Sequence, residues 1–203
     1  SPHQQVRNLV IARRVIVDMC KGLDIMFLDS DMFMPPHALT ALRNDTSLGA
    51  DIVGGINPFW FRDIFNGAER RRITLPIFTL EGKKSTLFAM HGTDSDVWIG
   101  NKLLGKRLWV DAVGGGIFYI KKEVHEKIQF KEPLNELMSD DVTFCFDAGR
   151  AGFKIMSDFN VYCQHWGYNM VRVGQDAERT YFHMDVAPEM MKERAKRRKE
   201  KSY

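Results

Sequence analysis

The stretch DIMFLDSDMFMPP, residues 24–36, constrains the fold most: an apolar run ends on two aspartates one residue apart, then on a proline pair. A short apolar run that stops at turn residues predicts a fully buried β-strand. The segment PPHALTALRN behind it predicts a helix entered through proline, where a missing N–H costs nothing. Upstream, Val6, Leu9, Val10 and Val17 recur at three- and four-residue steps between Gln4 and Met19, and Gly22 closes the segment. That spacing predicts a helix packed on a sheet.

The alternation continues downstream. ADIVGGI, residues 50–56, predicts a second buried strand, and RLWVDAVGGGIFYIKKEVHEKI, residues 107–128, reads as two apolar runs separated by glycines, then a helix from about Lys122. SDDVTFCFDAGRAGFKI, residues 139–155, starts with a serine cap, carries Val142, Cys145 and Phe146 on a helical face and stops at Gly152 before a strand. Alternating strands and helices predict an α/β sandwich with a mostly parallel central sheet. Residues 57–106 mix aromatics, glycines and charges without a sustained period, and the expectation there is long loops and short elements over a cleft. One domain over residues 1–187 and a basic C-terminal helix or tail over 188–203 account for the chain.

Composition limits the function classes. With 44% hydrophobic residues the chain can bury a core, so disorder is not the default. Cys20, Cys145 and Cys163 are odd in number and widely spaced, which indicates neither a disulfide framework nor a zinc knuckle and fits a reducing, cytoplasmic setting. The first residues lack the basic flank and apolar centre of a signal peptide, and no apolar run spans a bilayer. The formal charge of +3 owes much to KERAKRRKEK near the C-terminus, whose acids interleave with its bases, so no nucleic-acid partner is expected.

Several groups carry chemistry if the fold brings them together. In an open α/β sheet, ligands collect beyond the carboxyl ends of the strands, where Asp29 and Asp31 fall. Two hard oxygen donors on alternate residues of an extended stretch point the same way and suit Mg²⁺ or Mn²⁺ carrying phosphate oxygens; a solvated strand-end loop is the plainer alternative. A second such pair, Asp94 and Asp96, follows a poorly patterned stretch and weighs less. Asp140 and Asp141 open a helix, where the macrodipole favours carboxylates. They are ordinary first-turn acids or, at a cleft edge, a base for a hydroxyl nucleophile. His165 in CQHWG is a packed aromatic neighbour or a third ligand to the same cation. VGGG, residues 113–116, is a bulge or tight turn, or backbone held close to a ligand. Neither a GxGxxG fingerprint nor a Walker A sequence is present.

In this order, the pieces resemble the GT-A glycosyltransferases, especially the large inverting family that uses nucleotide-sugar donors. VRN at 6–8 is similar to that family's ARN helix start, and DIMFLDSDMFMPPHAL to its DxD strand and following helix. VDAVGGGIFYIKKEVHEKI resembles its acceptor segment, and SDDVTFCFDAGRAGFKI with CQHWG resembles its acidic helix and C-terminal histidine. The resemblance implies that Asp31 holds Mn²⁺ or Mg²⁺, that Asp29 meets that metal through water or contacts the donor's ribose or sugar, that His165 helps hold the metal or the diphosphate, and that Arg7, Gly115 and Trp166 lie at a UDP- or GDP-sugar. It implies Asp141 as the base, with Asp140 beside it. The family's usual pair is Glu-Asp rather than Asp-Asp. Its βαβ segment before the ARN helix has no counterpart here, which implies either a fragment of a longer protein or a nucleotide base held by another chain or by the 57–106 loops, whose Trp60, Phe61 and Trp98 could stack on a base or sugar. It also predicts that a partner segment or a second copy covers an open strand edge. The acceptor is not specified.

Two other readings stand beside it. Haloacid-dehalogenase-like phosphatases also place DxD after an apolar strand, the first aspartate as nucleophile. Phe33 stands where that family has threonine or valine, and VGGG and CQHWG have no role there. A non-catalytic module binding through the basic tail is the other.

Overall fold

The computed structural model describes residues 2–57, 59–65, 68–81, 84–89, 91–92, 96–99, 105–133, 139–165, 170–175 and 180–185, and among them the side chains of residues 4, 6–57, 105–133 and 139–163. The 188–203 tail, Trp166, and the side chains of Trp60, Phe61, Trp98, Asp94, Asp96 and His165 lie outside the described residues.

Helix α1 (Pro2–Met19) leads through Gly22, at φ 80°, into strand β1 (Ile25–Leu28), a two-residue strand β2 (Met32–Phe33) and helix α2 (Ala38–Asp45). Strand β3 (Ile52–Ile56) follows. Residues 57–106 then hold a succession of strands where long loops and short elements are predicted: β4 (Phe59–Phe65), β5 (Ala68–Glu81), β6 (Lys84–Ala89), β7 (His91–Gly92) and β8 (Asp96–Ile99). Their order comes from cross-strand partners rather than local periodicity, since β4, β5 and β6 pair antiparallel in succession. Pro76, which cannot donate to a ladder, sits past the last β4 partner of β5 and within a register shift against β6.

Strands β9 (Arg107–Val110), β10 (Ala112–Val113) and β11 (Ile117–Ile120), the short helix α3 (Lys122–His125) and helix α4 (Asp140–Arg150) precede strand β12 (Ile155–Tyr162). The described chain ends with β13 (Gln164–His165), β14 (Met170–Gln175) and β15 (Thr180–Asp185). The central sheet has the order β1-β11-β3-β12-β9. Of its four pairings only β3 with β12 is parallel, so the expected mostly parallel sheet is corrected to a mixed one. The reason is that among the described residues strand follows strand without a helix between 52 and 120, so β11 re-enters between β1 and β3 in the opposite direction. Strands β1, β3 and β12 nevertheless share one direction, because β1 and β3 both oppose β11 and β12 runs with β3.

Alternate residues of these strands feed two apolar clusters, as the period of two dictates. Ile25 and Phe27, Ile52 and Ile56, Phe118 and Ile120, and Ile155 and Phe159 join Val10 of α1 and Val142, Phe144 and Cys145 of α4. Val53, Ile117, Tyr119 and Met156 join Ala38 and Leu42 of α2. The glycines of β3 let neighbours close in: a Cβ on Gly54 would stand 2.6 Å from the Val113 Cβ, and one on Gly55 would stand 2.8 Å from the Val161 backbone oxygen. The expected full burial of the DIMFLD strand is also corrected. Strand β1 lies at one edge of the sheet, bonded to β11, and Leu28 is exposed.

Under α2, buried Asp45 and Asp158 face one arginine. Arg107 donates from Nε to Asp45 Oδ1 at 2.5 Å and reaches Asp158 Oδ2 at 3.8 Å. Burial, together with a hydrogen bond shared with Asp158, raises the Asp45 pKa to about 6 against the pull of Arg107. The folded state therefore holds this proton more tightly than the unfolded chain, so the contribution is full below about pH 4 and is lost as pH rises through about 6. Melting temperature across pH 4–7 should fall more steeply for the wild type than for Asp45→Asn, which mimics the protonated group; equal slopes would refute this.

Candidate functional site

The carboxyl ends of β1, β3 and β12 and the amino end of β11 all lie at one end of the sheet, so Asp29, Asn57, Gly115, Gly116 and His165 converge there in backbone position. The two aspartates after β1 are not on an extended stretch as expected. The Met32 N–H donates to the Asp29 carbonyl at 3.0 Å and closes a four-residue turn, while the Asp29 N–H donates to the Gly116 carbonyl at 3.0 Å. The turn delivers β2, which pairs antiparallel with β13 and sets His165 opposite Met32. The histidine thus lies at backbone level beside Asp31, in a register that no local pattern could announce.

Arg13 joins the two acidic motifs. It stands on α1 with its side chain 5% exposed, and its Nη1 donates to Asp140 Oδ2 at 2.6 Å while Nη2 stands 3.9 Å from Asp29 Oδ1. Its guanidinium carbon lies 5.4–5.8 Å from the ring centres of Phe27, Phe118 and Phe130, close enough for cation–π attraction. The sequence analysis did not select Arg13. A signal existed: Val6, Val10, Arg13 and Val17 fall at helical spacing, so a cation interrupts the apolar stripe of α1. Arg7, selected instead, is exposed and lies 3.7 Å from Glu132.

Helix α4 begins behind an extended Ser139 whose side chain makes no capping bond, and it presents two buried carboxylates in its first turn. Asp140 belongs to Arg13. Burial raises its pKa, Arg13 opposes that rise and Asp141 adds to it. Asp141 accepts the Gly115 N–H on Oδ2 and the Val142 N–H on Oδ1, the latter at 2.8 Å. The two neighbours thus have separate partners: one carboxylate is an ion-pair member, the other is held by backbone donors.

Gly115 explains the glycine run. None of Gly114, Gly115 and Gly116 is among the positive-φ glycines, so backbone freedom is not the reason. A Cβ on Gly115 would collide with the Arg13 guanidinium and stand 2.9 Å from Asp141 Oδ2. One on Gly116 would collide with the Asn57 amide and stand 3.3 Å from Met32 Cε. Gly115→Ala is therefore expected to lower stability by about 1–3 kcal/mol, as overpacking does. The shift would appear as a lower urea midpoint at unchanged m-value, and an unshifted midpoint would show that Arg13 does not pack as described.

Among the described residues no three histidine, cysteine or carboxylate groups gather at metal-binding distance. Asp29 and Asp31 are the hard oxygen donors at the strand end, both partly exposed, with His165 placed next to them by its strand. No helix among the described residues is long and apolar enough to cross a membrane.

No protein-family profile matches the chain, and no curated protein matches it. Among solved structures, the crystal structure of A197 from STIV matches at 16% identity over 88% of this chain and 77% of that chain, with a TM-score of 0.46. That likeness is too distant to bear on the fold or the site, and what is shown is an α/β chain with a mixed five-stranded sheet.

Proposed function

We propose that this strand end is the site of a metal-dependent glycosyltransferase of the GT-A type, which moves a sugar from a nucleotide-sugar donor to a hydroxyl acceptor. The observation that carries the reading is Arg13. One buried guanidinium contacts a carboxylate of the DxD turn and a carboxylate of the α4 pair, which supports reading two acidic motifs far apart in sequence as one site.

The chemistry divides between them. Among the described side chains, Asp29, Asp31, Asp140 and Asp141 stand against Arg13 at that end of the sheet, an excess of negative charge that suits a divalent cation. Asp31 and Asp29 would hold Mn²⁺ or Mg²⁺, with His165 at the neighbouring strand position and donor phosphate oxygens filling the shell. A cation held there would neutralise the charge that builds on a departing nucleoside diphosphate. Asp141 takes the proton of the attacking hydroxyl. Its two backbone bonds fix the carboxylate in orientation, and lone pairs remain for that proton, since each oxygen has two. Asp140, drawn into the ion pair with Arg13, keeps α4 and α1 in register beneath it.

Thermal-shift titration tests the reading directly. A panel of UDP-, GDP- and dTDP-sugars should raise the melting temperature with Mn²⁺ present and not with EDTA; a ligand at one hundred times its dissociation constant stabilises by about 2.7 kcal/mol. Asp31→Ala should abolish the Mn²⁺-dependent shift. Nucleotide-sugar binding of equal strength without metal, or in Asp31→Ala, would overturn the metal assignment.

A further inference from the structure

Strand β1 ends the central sheet, and among the described residues no strand covers its outer edge. The Asp29 N–H bonds the Gly116 carbonyl. By the alternation of an antiparallel ladder, Phe27 and Ile25 then bond inward to β11, while Met26 and Leu28 turn their N–H and C=O groups to the open edge. Edges left in water are commonly guarded by a charge, a proline or a bulge. The sequence IMFL carries none of them, and its register with β11 is unbroken.

Helix α1 stands over the same edge. Its Arg13 reaches Asp140 of α4, Arg14 donates to the Phe130 carbonyl and Arg7 lies by Glu132. Helix α4 lies inward of it: Cys145 bonds the Val113 carbonyl, and Val113 packs against Gly54 of β3. At about 100° per residue, Leu9 and Ile16 fall on the flank of α1 opposite Arg7 and Arg14, past β1 rather than toward α4. Both are exposed, as are Met19, Leu23 in the turn to β1 and Leu28 on the strand itself. A helix apolar on more than its core side belongs under a second layer.

We propose that a second copy of this chain covers this surface, joining the two sheets through antiparallel β1 strands related by a two-fold axis. A copy brings both things the surface lacks, a strand for the open edge and an apolar helix flank for Leu9 and Ile16. With the axis at Phe27, Met26 of each chain stands opposite Leu28 of the other, and their outward N–H and C=O groups find partners. The area fits. Leu9, Ile16, Met19, Leu23 and Leu28 expose on the order of 500 Å², and a standard interface buries about 800 Å² per partner, of which about 65% is apolar in a homodimer. A lipid surface fits less well, since a bilayer leaves an open strand edge without hydrogen bonds. Because the joined strands run antiparallel, the two Asp29 turns lie at opposite ends of the shared sheet and each chain keeps its own site. The proposal therefore stands apart from the glycosyltransferase reading.

Sedimentation velocity over a concentration series tests it, with the wild type expected to pass from monomer to dimer as concentration rises. Ile16→Lys and Leu28→Lys each place a charge in the seam, one on either face of the joined sheet. Each should weaken the dimer by about a hundredfold, because a charge buried there has no partner. Both positions are exposed in the single chain, so circular dichroism and melting of the dilute monomer should match the wild type. Val15→Lys, on the outward face of α1 and also exposed, should dimerise as the wild type does. A wild type that stays monomeric at every concentration overturns the proposal and leaves the edge to a different partner. A dimer that survives both seam substitutions, or that Val15→Lys breaks equally, overturns it too, since the association then does not run through this edge.

Discussion

Replacing Arg13 with methionine is expected to destabilise the protein by about 3–5 kcal/mol, the usual consequence of removing one partner of a buried ion pair. The guanidinium and the Asp140 carboxylate are both nearly inaccessible, with side chains 5% and 4% exposed, and they meet at 2.6 Å. Methionine would fill the space among Phe27, Phe118 and Phe130 and leave Asp140 with no counter-charge. The loss should depend on pH in a stated direction. Burial already raises the Asp140 pKa, and without Arg13 it rises further, so the folded variant binds a proton that the unfolded chain releases. Stability of Arg13→Met should therefore be nearest the wild type in mild acid and fall as pH increases. The double variant Arg13→Met, Asp140→Asn should recover much of the loss, because no charge is then buried alone. Urea unfolding at pH 5 and pH 8 decides it: a single variant as stable as the wild type at pH 8, or a double variant no better than the single, would show that the pair does not hold α1 to α4.

The parts of this site differed in how far the sequence could announce them, and the difference is physical. Strands β3 and β11 are continuous apolar runs buried along their whole length, so local pattern and tertiary role agree there; helix α1 follows its spacing only in part, since Val10 is buried and Val17 packs on the core while Leu9 is exposed. The acid pairs were legible by position: one ends an apolar run, the other opens a helix. Sheet direction was not legible, because an antiparallel strand can enter between two strands of like direction without any mark in its own composition. The DxD turn was missed for a related reason. Alternate residues share a face only while the chain stays extended, and the hydrogen bond from Met32 to Asp29 ends that condition. Arg13 was hidden by its neighbours, since ARR at 12–14 offers two adjacent arginines and only the sheet determines which one turns inward. Arg13 packs on the aromatic face, whereas Arg14 donates from Nε to the Phe130 carbonyl at 2.6 Å.

Asp141→Asn is expected to reduce turnover by about 10²–10⁴-fold, the contribution of a positioned general base, with donor affinity little changed. The geometry separates this from damage to the fold. Asparagine can still accept the Gly115 and Val142 N–H groups through its amide oxygen, one bond at a time, so the stability change should stay near 1 kcal/mol, as for loss of a helix-end interaction. Asp140→Asn should behave in the opposite way. It leaves Arg13 buried without its short ion pair, so stability falls, while turnover at a temperature where the variant is folded falls far less. The two neighbours therefore predict a crossed pattern, rate lost at 141 and stability lost at 140, which a cap-only role for both residues cannot produce. Measuring melting and single-turnover kinetics on the same preparations, with the donor identified by thermal shift, tests the crossing. Turnover retained in Asp141→Asn but abolished in folded Asp140→Asn would move the base to Asp140. Turnover retained in both would mean that the acid pair of α4 only secures the helix start, and that the acceptor proton leaves by another route.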